Sequence, residues 1–315
     1  MYVSPTRRQF LKGTSGAILA AAAPAAAADP APPPIIDTHV HLWNLSQFRL
    51  PWLEDASTLH RDFKVDDYRR AGEGLNIVKA IYMEVDVDPN QQEQEARAVA
   101  EVCRRGQSVL AAAVISGRPA SDRFAQYIEP FAGESVIKGV RQVLHGSGTP
   151  PGYCLDDRFV RGVRLLGDLG LSFDLCMRPG ELGDGARLID ACPGTKFILD
   201  HCGNAEVFAA DLTPWKRDIA AVARRTNVSC EVSGIVASIK GRTWRPEDLA
   251  PIINHVLAEF GPDRVVFGGD WPVCTLGAPL AAWVKALREV VQDRSLADQR
   301  KLFHDNAQRI YRLSS

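Results

Sequence analysis

Eight short runs rich in β-branched and aliphatic residues punctuate this chain, at 35–41, 77–85, 108–115, 136–143, 171–177, 195–201, 227–233 and 264–269. Between them lie longer stretches with helical periodicity, among them "NQQEQEARAVAEVCRR", "DDRFVRGVRLLGDLG" and "RPEDLAPIINHVLAEFG". A strand, then a helix, then a strand is the pattern of a parallel βαβ crossover, because a hairpin leaves no room for the helix. Eight such units predict a closed (β/α)8 barrel in place of an open doubly wound sheet. A barrel also accommodates residues 35–315 as a single domain. Asn90 and Ser121 are placed to cap helix starts, while Gly106, Gly170 and Gly261 are placed to end helices.

The first 34 residues are of different composition. "PTRRQFLKG" followed by "AILAAAAPAAAADPAPPP" reads as a twin-arginine signal peptide with a Pro/Ala-rich spacer, cleaved near Ala28, and predicts export to the periplasm or beyond by the twin-arginine machinery. The apolar stretch breaks at Pro24 and is too short for a stable membrane anchor. The seven cysteines are scattered without paired spacing, which excludes a disulfide framework or a cysteine-based zinc module. A formal net charge of -1 leaves no basic excess for nucleic acid, and no glycine-rich phosphate loop is present. The expected partner is a small molecule.

The polar residues of interest fall at strand ends. In "IIDTHVHLWN", alternation along a strand puts Asp37, His39 and His41 on one face, expected to be the lumen, and Ile36, Thr38 and Val40 on the other, against the helices. "KFILDHCGN" ends one strand at His201, and "RVVFGGDWP" ends another at Asp270. A lone buried histidine is usually a hydrogen-bonded core residue. Three imidazoles and a carboxylate at the C-terminal ends of strands 1, 6 and 8 are the nitrogen and oxygen donors of metal or acid–base chemistry, on the face where barrels keep their sites.

"DTHVHLW", "LDHCG", "FGGDWPV" and "NAQRIY" together resemble the amidohydrolase superfamily, and within it the lactonase branch that includes 2-pyrone-4,6-dicarboxylate lactonase and the L-rhamnono- and L-fucono-lactonases. The resemblance runs over residues 35–315 and implies a distorted (β/α)8 barrel of the metal-dependent hydrolase type, with His39, His41, His201 and Asp270 as its catalytic and metal-site positions. Strand 5, "LSFDLCM", has no histidine, and strand 4 ends in Arg141 and Gln142 without a bridging lysine, so a binuclear centre is disfavoured. The resemblance implies at most one divalent ion, zinc foremost, and some members of the branch work without one.

The expected reaction is opening of a small lactone, either a sugar aldonolactone or a dicarboxylated ring. Asp270 would act as general base on a water that is metal-bound or, without a metal, free, the histidines then polarising the carbonyl directly. Arg141, Glu84, Gln142 and His145 are candidate substrate contacts, and Trp43 and Trp271 candidate aromatic walls. The long loops 44–64 and 144–157 are expected to cover the substrate. A metal-dependent decarboxylase of an aromatic or unsaturated acid, and a non-catalytic carbohydrate-binding barrel, are the alternatives.

Overall fold

The computed structural model describes residues 1–2, 32–54, 57–239 and 241–314. The signal-peptide and export expectations fall almost wholly outside these residues. Pro33–Ser315 form one compact unit. Its strands are β1 (Ile35–Val40), β2 (Ile77–Met83), β3 (Leu110–Ser116), β4 (Ile137–Val143), β5 (Ser172–Cys176), β6 (Lys196–Leu199), β7 (Val228–Val232) and β8 (Val265–Phe267). All seven neighbouring pairs from β1–β2 to β7–β8 run parallel, in sequence order. The crossovers carry α1 (Val65–Ala71), α2 (Gln92–Arg105), α3 (Phe124–Ala132), α4 (Asp157–Asp168), α5 (Leu182–Ala191), a kinked turn α6 (His201–Asn204), α7 (Thr213–Ala223) and α8 (Pro246–Phe260). α9 (Leu280–Val290) follows β8, and α10 (Leu296–Arg300) and α11 (Asn306–Ile310) close the chain.

β8 is three residues long, so backbone pairing alone does little to close the barrel against β1. One parallel bridge joins Val40 to Trp271, with the His41 amide donating to the Trp271 carbonyl at 2.7 Å. Side chains of the "DTH" segment complete the seam. Asp37 Oδ1 accepts the Gly269 amide at 2.6 Å, and Thr38 Oγ1 donates to the Phe267 carbonyl at 2.9 Å. Gly269 is required here, because a Cβ would overlap the Asp37 carboxylate.

Strict alternation fails along β1. Asp37 pairs with Ala80 and Val40 with Tyr82, so β1 spends one residue more than β2, a bulge. Before it, Ile36 faces the lumen among Ile81, Met83, Ala112, Val114, Ile198 and Val266, and Asp37 turns to the Tyr68 hydroxyl of α1 at 2.7 Å. Thr38 and His39, consecutive in sequence, then both reach Glu231. The expected faces of Asp37, Ile36 and Thr38 are therefore corrected, while His39 and His41 do point inward.

Ala307, Tyr311 and Leu313 pack into the same luminal cluster from below, and Asn306 holds them there by donating to the Pro262 and Val265 carbonyls, both at 2.8 Å. "NAQRIY" is thus the barrel's floor plug. Gly106, Gly170 and Gly261 take positive φ at helix ends as expected. The expected N-caps differ: Asp88, not Asn90, caps the turn before α2, and Ser121 bonds the Arg123 amide ahead of α3 without capping it. Asp88 takes the role because its carboxylate precedes Pro89, whose ring already sets the first helical φ. All seven cysteines are free and buried. No helix among the described residues is long and apolar enough to cross a membrane.

Candidate active site

The C-terminal ends of β1, β6 and β8 bring His39, His41, His201 and Asp270 together. The Nε2 atoms of His39 and His41 lie 3.2 Å apart, and Asp270 Oδ1 stands 3.5 Å from His41 Nε2 and 3.9 Å from His39 Nε2. The rings of His39 and His201 are 4.5 Å apart between centroids. All four residues are buried, with His201 the most exposed at 9%.

The far side of each ring settles its tautomer. His41 Nδ1 donates to the Met83 carbonyl at 3.1 Å, and His39 Nδ1 donates to Glu231 Oε2 at 2.8 Å. Each ring then turns its Nε2 acceptor toward the other and toward a carboxylate oxygen. Acceptors converge this way around a cation. Two ring nitrogens at 2.0–2.1 Å from a tetrahedral ion stand about 3.3 Å apart, so the 3.2 Å separation fits zinc. Arg141 Nη1 also approaches His39 Nε2 at 3.2 Å.

His201 and Asp270 have φ of 53° and 52°, in the left-handed region that a non-glycine residue enters at a cost of about 1–3 kcal/mol. Their strands end in turns that swing the side chains over the barrel mouth. The surroundings permit this through glycine: a Cβ on Gly234 would overlap the His201 imidazole, and one on Gly268 would crowd Glu231.

Arg141 is the buried cation of the site. Its Nε donates to Glu84 Oε1 at 2.7 Å, its Nη2 to the Glu84 carbonyl at 2.8 Å, and its Nη1 lies 3.4 Å from Asp200 Oδ2. Burial would raise Glu84, but Arg141 and Arg118 bring its pKa below the ordinary value. Asp200 moves the other way, pushed well up by burial and by the charge of Glu231. Burial, with His41 and Arg141 adding to it, holds His39 well below the usual histidine range, and burial takes His201 down to about 3. Both imidazoles are therefore neutral near pH 7.

The other sequence candidates divide. Arg141 and Glu84 join the cluster. His145 stands exposed at the rim. Gln142 follows Arg141 on a strand in unbroken register with β5, so it faces the opposite way, its amide oxygen buried without a partner. Trp43 and Trp271 are not exposed walls. Trp43 is 3% exposed, donates to the Arg61 carbonyl and packs on Trp52 and Phe63; Trp271 is likewise buried against Phe63 and Tyr68. Trp271 directly follows Asp270 and so points to the opposite side of the backbone, toward Tyr68 of α1, while Trp43 is enclosed by residues of the 44–64 loop. In loop 44–64 the Trp52 indole donates to the Val85 carbonyl just past the end of β2, and loop 144–157 is held by Arg178 through the Gly146 and Thr149 carbonyls.

Glu231, Ser233 and Thr38 were not singled out from the sequence. Two polar residues spaced by two in the apolar strand "VSCEVSG" carry the signal that could have found them.

A family model described as Amidohydrolase matches residues 36–313. The chain is 26% identical over 289 residues to an L-fucono-1,5-lactonase of Burkholderia multivorans, covering 88% of this chain and 96% of that protein. It is 22% identical over 333 residues to an L-rhamnono-gamma-lactonase of Scheffersomyces stipitis, covering 89% and 98%. A crystal structure of an amidohydrolase from Burkholderia multivorans with bound zinc superposes with a TM-score of 0.80 at 24% identity, over 89% of this chain and 100% of that one. The strand-end imidazoles and carboxylate thus sit in a barrel matched along nearly its whole length, and the chain belongs to the amidohydrolase family.

Proposed function

We propose that this enzyme opens an uncharged lactone, of the sugar aldonolactone kind, by attack of water on the ring carbonyl with Asp270 as general base. The convergence of His39 Nε2, His41 Nε2 and Asp270 Oδ1 at the barrel mouth carries the reading. The lactonase names of the two sequence relatives support the bond type. His39 and His41, with Asp270 facing both and His201 alongside, are the residues that would hold a single zinc ion, which supplies Lewis-acid polarisation there when bound.

The chain's own groups account for the proton and the charge. Asp270 takes a proton from water as the new C–O bond forms, and returns it to the ring oxygen as the ester bond breaks, giving a hydroxy acid. Neutral His39 and His201 do not compete for that proton. The guanidinium of Arg141, fixed by Glu84 and Asp200, puts positive charge beside the oxygen that becomes negative.

Charge pairing favours the uncharged ring. Arg118, Arg141 and Arg178 are each already paired, with Asp86, with Glu84 and with Glu181 respectively. None is left to take up the carboxylates of a dicarboxylated lactone. We place the enzyme beyond the cytoplasmic membrane, on the Arg7–Arg8 segment of the sequence. Its seven free cysteines are consistent with folding in a reducing compartment before export.

The test is acid release from a panel of lactones by zinc-supplemented protein, followed with a pH indicator. Uncharged lactones should turn over at a kcat/KM at least tenfold above dicarboxylated ones, by about 1.4 kcal/mol of transition-state discrimination. Carbon dioxide from aromatic acids without acid release from any lactone would replace the lactonase reading with the decarboxylase one.

A further inference from the structure

We infer that Glu231 is the positioning residue of the site, a single buried carboxylate that sets the tautomers of both His39 and His201 from behind. The inference rests on the reading of His39 and His41 as the metal-holding pair. Glu231 is fully buried on β7. Its Oε2 receives the His39 Nδ1 proton at 2.8 Å and the Ser233 hydroxyl at 2.5 Å, and its Oε1 receives the Thr38 hydroxyl at 2.6 Å. Ser233, having spent its proton on Glu231, can only accept from His201 Nδ1, at 2.8 Å. One carboxylate therefore keeps the Nδ1 proton on His39 directly and on His201 through one hydroxyl. Each ring is left with Nε2 as its unprotonated nitrogen, that of His39 facing His41, Asp270 and the Arg141 guanidinium.

Glu231, His39 and His201 also lie close enough together to form a ligand set of their own. Both Glu231 oxygens already accept protein donors, and the His39 atom that meets it is the protonated one, so it orients ligands and does not serve as one.

Glutamine offers a discriminating substitution. Its carbonyl can take the Oε2 place and accept from His39 and Ser233, while its amide donates to Thr38 Oγ1, whose proton then goes wholly to the Phe267 carbonyl already 2.9 Å away. Glu231→Gln thus preserves the tautomers without the charge. Glu231→Leu removes the acceptor altogether.

The experiment uses the full chain. Zinc affinity is read by competition with a chromogenic chelator, and the imidazole tautomers by 15N NMR of the metal-free protein. Glu231→Leu is expected to lose about 10–100-fold in zinc affinity and to mix the Nδ1–H and Nε2–H forms of His39. Glu231→Gln should stay within about fivefold and keep the wild-type pattern. Ser233→Ala should disturb His201 alone, and it tests the relay even where Glu231→Leu does not fold. Wild-type affinity and tautomers in Glu231→Leu, an undisturbed His201 in Ser233→Ala, or a loss in Glu231→Gln equal to that in Glu231→Leu would each overturn the inference, the last by showing that charge, not tautomer, is what matters. A protein with the expected tautomers and zinc affinity that opens no lactone would refute the reaction and leave the role of Glu231 intact.

Discussion

His41 Nε2 and Asp270 Oδ1 face each other at 3.5 Å across the seam between β1 and β8, one a bare imidazole lone pair and the other a carboxylate oxygen. Two acceptors held this close in a buried site are stabilised by a cation between them. Zinc should raise the unfolding temperature of the purified protein, and chelation should lower it. His41→Ala should weaken zinc binding by a hundredfold or more, on the order of or beyond the cost of losing an outer-shell partner. Equal melting curves with and without zinc would show that the seam closes without a metal.

Asp270→Asn keeps the shape of the side chain and removes the base. Turnover of the preferred lactone should fall by about 10²–10⁴-fold with KM changed little, the range expected for loss of general base catalysis. Initial rates on wild type and variant decide it. A rise in KM at unchanged kcat would instead place Asp270 in substrate binding.

Glu95 on α2 provides a titration outside the site. One of its oxygens accepts from the Tyr82 hydroxyl and the Val85 amide, and the other is buried without a partner. Burial, and then the charge of Glu84, pushes its pKa up to about 8 from the ordinary 4.5. Between those values the folded chain holds a proton that the unfolded chain has released. Its contribution to stability is therefore full below pH 4.5 and is lost as pH rises toward 8. Glu95→Gln, which mimics the protonated acid, should melt higher than wild type at pH 8 by about 2–5 °C and lose that advantage near pH 5. Melting curves at the two pH values carry the test, and an advantage at pH 5 as large as at pH 8 would refute it.

Export should depend on the arginine pair. In a bacterial host with the twin-arginine machinery, changing Arg7 and Arg8 together to lysine should leave the protein in the cytoplasm, while the unaltered chain reaches the periplasm. Fractionation followed by immunoblotting reads the outcome, and equal periplasmic yield from both would refute the signal assignment.

What the chain spelled out by itself was local. Period-two and period-3.6 hydrophobic patterns marked all eight strands and most helices, and their alternation implied the barrel, because each pattern depends only on neighbours a few residues away. His39, His41, His201 and Asp270 could be picked out for the same reason, as polar residues at the ends of apolar runs. Direction and partnership were decided by tertiary structure. The bulge in β1 reversed the expected faces of Asp37, Ile36 and Thr38, Trp43 and Trp271 turned into the core, and Glu231 met His39 from 192 positions away. A side chain's facing depends on the register and closure of strands remote in sequence, and closing a barrel settles these only when β8 meets β1.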